Sequence, residues 1–149
     1  IPLIAAGGIC DGRGMAAAFA LGAEAVQMGT RFVSSVESPV HKNYKLKIVD
    51  SRETGTYVLN KKATPCIRAL KSTRMDAIYE EGRMPADTFA NIKGVYFDGD
   101  MEAAPALAGQ SAGLIHEVKP VKDIIDETIA EFHQITARLG ALATARAFG

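Results

Sequence analysis

Two short segments, residues 1–6 and 23–28, each stop at a glycine-containing turn, Gly7-Gly8 and Gly29-Thr30. The first is almost wholly apolar and suits a strand buried on both faces, as in a parallel sheet covered by helices, and the second reads as another short strand. Between them, Met15, Ala18, Phe19 and Gly22 recur at helical spacing in an alanine-rich segment. Asp11 is placed to cap the start of that helix and Gly22 to stop it. Strand, helix and strand within some thirty residues make a βαβ unit, whose right-handed crossover lays the strands parallel. The expected class is α/β.

In such folds ligands bind beyond the carboxyl ends of the strands, where glycine lets backbone N–H groups come close to a phosphate. Gly7-Gly8 alone reads as a tight turn and no more. Two adjacent strand-end turns at βαβ spacing, one of them carrying a hydroxyl, favour a shared phosphate site. Barrels of the (β/α)8 type place one after their seventh and eighth strands.

The residues around these turns carry a resemblance. Ile4-Ala5-Ala6-Gly7-Gly8-Ile9, Asp11-Gly12-Arg13-Gly14, Leu21-Gly22-Ala23 and Gln27-Met28-Gly29-Thr30-Arg31-Phe32 resemble the last two βα units of a flavin-dependent barrel family. That family holds the nitronate monooxygenases (2-nitropropane dioxygenases) and the type II flavin-dependent enoyl-acyl-carrier-protein reductases. The resemblance implies the C-terminal part of an FMN-binding TIM (β/α)8 barrel, with a small helical and irregular extension and a long C-terminal helix. It places Gly7, Gly8, Gln27, Met28, Gly29 and Thr30 at FMN-contacting positions. Residues 1–50 would hold the last two βα units, 51–117 the extension returning to the barrel, and 118–149 the helix. The absence of an initiator Met before Ile1 is read here as the mark of a piece of a larger flavoenzyme, since such barrels take about 250 residues.

Beyond the unit, Ser38-Pro39 predicts a helix start, with Val40, Tyr44, Ile48 and Val49 on one face. His41, among Lys42, Lys45 and Lys47, reads as a solvated surface histidine. Ser38, His41, Tyr44 and Lys45 match a pattern frequent in the resembled family. Residues 54–59 read as extended. Residues 61–74 are basic, through Lys61, Lys62, Arg68, Lys71 and Arg74. They form either a solvated face or a contact for dinucleotide phosphates or an acidic carrier protein. Residues 76–100 read as short helices and loops around Gly82, Pro85, Gly94 and Gly99. Ala108-Gly109-Gln110-Ser111-Ala112-Gly113-Leu114 packs small residues densely enough for close approach to another element or a flat ligand. Together with Cys66-Ile67-Arg68-Ala69-Leu70-Lys71, it resembles the enoyl reductase branch. From residue 118, Val121, Ile125, Thr128, Phe132, Ile135, Leu139 and Leu142 form a stripe widened by Ile124 and Ile129, with Glu127, Glu131 and Arg138 off it.

Composition narrows the functional classes. With 17 Lys+Arg against 17 Asp+Glu, there is no electrostatic case for nucleic acid or an anionic membrane. The apolar stretches are too short to span a bilayer, and no signal-peptide pattern opens the chain. Cys10 and Cys66 make no disulfide framework and read as reduced thiols, the expectation for a cytoplasmic protein. No metal spacing links His41, His116, His133 and the cysteines, and no nucleophile elbow, Walker loop or dinucleotide fingerprint is present. Asp98-Gly99-Asp100 lacks the ligand series of a calcium loop. Cys10 could lie near a helix N-terminus, but apolar packing is its simpler role.

No catalytic residue is therefore assigned. The resemblance places the catalytic histidine upstream of Ile1, leaving the chemistry to FMN with NADH or NADPH as cosubstrate. The first expectation is reduction of a trans-2-enoyl thioester on acyl carrier protein, by a protein that is a homodimer at full length. The alternatives are oxidation of alkyl nitronates with O2 and a non-redox phosphate-binding fragment.

Overall fold

The computed structural model describes residues 1–145 as a mixed α/β chain ending in a long helix. Strand β1 (Ile4–Ala6), helix α1 (Gly12–Ala20) and strand β2 (Ala25–Gln27) form the expected unit, with β1 and β2 parallel and Ala5 opposite Val26. Asp11 caps α1 by accepting from the Gly14 N–H at 2.8 Å. Gly22, at φ 102°, turns the chain out of the helix in the left-handed region, where a side chain would be strained. Ile9, Ala18 and Ala23 are buried beneath the strands, with Ala5, Val26 and Met28 packed against them.

After β2 comes a single helical turn, α2 (Thr30–Val33), and then α3 (Lys42–Val49). Helix α3 starts later than Ser38-Pro39 predicts. Tertiary bonds hold the intervening segment out of a helix: the Val36 N–H donates to Lys119 O at 2.9 Å and the His41 N–H to Tyr96 O at 2.6 Å. His41 is half-buried and takes a local role that the surface reading does not include. Its Nδ1 caps α3 by accepting from the Asn43 N–H, and its ring lies where a Cβ on Gly99 would stand, 2.1 Å from Nδ1.

The extension begins with an antiparallel hairpin, β3 (Thr56–Leu59) and β4 (Ile67–Leu70), followed by α4 (Thr73–Glu81). Burial alternates along β3, so Tyr57 and Leu59 share a small core with Ala69, Met75 and Ile78. The larger core lies elsewhere. Tyr44 and Ile48 of α3, both fully buried, meet Leu70, Val95, Ile115 and a run of alanines from 103 to 112. That alanine run returns alongside β4, where the Leu70 N–H donates to Ala106 O at 2.9 Å, and ends in a 3-10 segment (Gln110–Leu114).

Helix α5 (Val121–Ala145) closes the described chain. Its contact face is narrower than the sequence stripe predicts. Ile124 and Thr128 are buried and Phe132 and Ile135 half-buried, while Ile125, Ile129, Leu139 and Leu142 remain 41–55% exposed. Glu131 stays partly exposed off the stripe, and its Oε2 accepts from the Gly12 N–H at 2.7 Å. A Cβ on Gly12 would stand 2.5 Å from Phe132 N and 2.6 Å from Thr128 O, so glycine is what lets α1 lie against α5. Phe19 and Phe132 meet edge to face, ring centroids 5.1 Å apart. No helix among the described residues is long and apolar enough to cross a membrane.

Candidate functional site

The two strand-end turns do converge. Gly7 and Gly8 follow β1, and Gln27, Gly29 and Thr30 close β2; together they line a cavity of about 240 Å3. Gly7 and Gly8 have φ of 97° and 74°, a conformation that turns the backbone sharply at little cost only for glycine. Gly29 differs. Its φ of −90° suits any residue, yet a Cβ there would meet nothing within 4 Å. Gly29 thus lines the hollow with open space beside its Cα. Met28 turns its side chain away, into the core beneath the sheet.

The far wall comes from a segment that the strand-end glycines do not announce. Gly109 and Ser111 line the same cavity, and the Gly109 N–H donates to Thr30 Oγ1 at 2.8 Å across 79 residues. This bond occupies an acceptor site on the Thr30 hydroxyl and leaves its proton to be donated elsewhere. The density of small residues at 106–113 was the available signal, since only such residues let the two backbones approach. Among the described residues no charged side chain lines the cavity. The N-terminus of α1 is already satisfied by Asp11 and Glu131, so an anion in the cup would be met by backbone N–H groups and hydroxyls.

Behind the cup lies Arg31, 7% exposed, donating from Nη1 to Glu117 O at 2.9 Å and to Ser34 Oγ at 3.2 Å. Burial lowers its pKa from the usual arginine value. It ties the turn after β2 to the approach of α5. Cys10 is buried nearby, and desolvation with the adjacent Asp11 carboxylate pushes its thiol up to about 11. Such a thiol is protonated at neutral pH and packs as a small apolar group, ill-suited to be a nucleophile. His116 and His133 are exposed, and among the described residues no His, Cys, Asp and Glu cluster could hold a metal.

The basic residues of the extension are largely used locally. Lys61 lies 3.5 Å over the Tyr79 ring, Lys62 donates to Glu81 O, Arg68 to Thr56 Oγ1, and Arg74 to Glu102 O and Ala103 O. A cavity of about 580 Å3 beside Arg68 and Lys71 is also lined by Glu53, Asp76 and Glu80. Its mixed charge gives no particular preference for an anion.

The sequence profile of nitronate monooxygenase matches residues 1–131. The chain belongs to the nitronate monooxygenase family. A probable nitronate monooxygenase of Staphylococcus aureus is 34% identical over 142 residues, which cover 91% of this chain and 40% of that protein. A second, from Staphylococcus saprophyticus, is 57% identical over 60 residues, or 40% of this chain and 17% of its own length. Among solved structures, FabK from Thermotoga maritima superposes with a TM-score of 0.88 at 46% identity, over 95% of this chain and 47% of that one. Nitroalkane oxidase from Streptomyces ansochromogenes follows with a TM-score of 0.76 at 27% identity, over 93% of this chain and 41% of its own. The chain thus spans less than half the length of each of these relatives.

Proposed function

We propose that the full-length protein is a flavin-dependent oxidoreductase whose FMN phosphate is held in the cup between β1, β2 and the 3-10 segment. The observation that carries this reading is the convergence of Gly7, Gly8, Gln27, Gly29 and Thr30 with Gly109 and Ser111 on one uncharged hollow. In this reading β1 and β2 are the last two strands of a (β/α)8 barrel. Thr30 opens the short helical turn that such barrels present to a phosphate. Residues 1–50 form the barrel portion and 51–117 the extension, and the closing segment 118–149 carries α5 (Val121–Ala145), with 146–149 outside the described residues.

The proposed reaction is reduction of a trans-2-enoyl thioester on acyl carrier protein with NADH or NADPH, in the cytoplasm, by a homodimer. The 46% identity to FabK, an enoyl-acyl-carrier-protein reductase, supports this choice over the more distant nitroalkane oxidase. FMN, when bound, supplies hydride transfer between the nicotinamide and the enoyl carbon. The residues of this chain anchor and orient it. Backbone N–H groups at Gly8 and Gly29 and the Thr30 hydroxyl are the donors for the phosphate, and Arg31 fixes the turn that carries Thr30.

A nitronate monooxygenase is the second reading, favoured by the family profile and the staphylococcal relatives. Assay of the purified full-length protein separates the two. NADH oxidation dependent on crotonyl thioester is expected, whereas oxygen uptake with alkyl nitronates and no enoyl turnover would select the monooxygenase. A colourless protein that takes up no FMN would overturn both.

A further inference from the structure

We infer that Ser111, delivered from the extension, is a direct ligand of the phosphate and sets the preference for FMN over unphosphorylated flavin. The inference rests on the cup being an FMN-phosphate site. Ser111 is 5% exposed and lines the cavity. Its hydroxyl bonds to no other described residue. Yet no buried side-chain polar atom among those residues is both sealed from solvent and unpartnered, so the remaining access of the Ser111 oxygen is onto the hollow. Thr30 Oγ1 and Ser111 Oγ lie 3.3 and 3.8 Å from the point where a Gly109 side chain would begin. The two hydroxyls therefore flank one glycine, one from each half of the site. Because the described lining holds no cation, each neutral donor carries a larger share of the anion's stabilisation than it would beside a lysine or arginine.

The test uses the full-length protein stripped of flavin and titrated separately with FMN and riboflavin, reading flavin fluorescence. The parent should bind FMN more tightly than riboflavin. Ser111→Ala should weaken FMN roughly tenfold, the loss of one hydrogen bond to a charged group, and leave riboflavin unchanged. Ser111→Thr, which keeps a hydroxyl, should recover most of the FMN affinity. Equal weakening of both flavins by Ser111→Ala, or no change in either, would overturn the role of Ser111. If instead the parent binds FMN and riboflavin alike, the phosphate reading of the cup fails first and takes this inference with it.

Discussion

The parallel pair β1–β2 and the antiparallel hairpin β3–β4 solve the same problem in opposite ways. The hairpin encloses its own core: Tyr57, Leu59 and Ala69 meet Met75 and Ile78 of the helix that immediately follows. The parallel pair leaves its strands half-exposed or exposed, and its helix reaches burial through α5, more than a hundred residues away. The site is built on the pair that draws on distant segments of the chain. Its geometry is consequently held by remote segments, α5 through Gly12 and the 3-10 turn through Thr30, while the hairpin is held by its neighbours in sequence.

The strongest way to break this contrast is Leu59→Ala. Leu59 is fully buried, so the substitution should cost about 3 kcal/mol and raise hydrogen exchange across β3 and β4. FMN affinity should hold wherever circular dichroism still shows native protein; a loss there would make the hairpin a strut of the cup. Gly12→Ala should cost about 2 kcal/mol by forcing α1 from the α5 backbone. Here thermal stability and flavin retention should fall together, and retention of flavin in a destabilised variant would uncouple α5 from the site. Thr30→Val or Gly29→Val should weaken FMN by roughly tenfold with little change in melting temperature. Unchanged flavin occupancy in both would remove the phosphate from this cup.

Smaller effects sharpen the picture. The Cys10 thiol ionises near 11 in the folded chain against an ordinary 9.0. The unfolded chain therefore loses its proton first as pH rises. The stabilisation from the neutral thiol is complete below pH 9 and lost between 9 and 11, and Cys10→Ala should flatten that part of the denaturation profile. At pH 8, thiol reagents should label exposed Cys66 well before Cys10. Ile129→Ser, on the exposed face of α5, should change stability by no more than about 0.5 kcal/mol.

The βαβ unit was legible because every signal in it is local. Asp11 reaches three residues on to cap α1, Gly22 stops it, and Gly7-Gly8 and Gly29-Thr30 end the strands where periodicity stops. The extended reading of residues 54–59 met β3 for the same reason. The contact face of α5 was misread because its apolar stripe is broader than the helix it packs against, and Gly12 selects only the part near Thr128 and Phe132. The delayed start of α3 follows from bonds to Lys119 and Tyr96, which no local cap can foretell. Gly109 and Ser111 entered the site by the same long-range route: their small size was visible, their destination was not.

The bond from Gly109 to Thr30 joins chain positions 79 residues apart, and Tyr44 Oη donates to Leu107 O at 2.5 Å nearby. The backbone thus departs from the cup and comes back to nearly the same spot. An excursion whose two ends are pinned together can change length at its outer loops while its core residues keep the anchors in place. Changes of length between residues 30 and 109 would then be felt least where those two bonds hold the chain together.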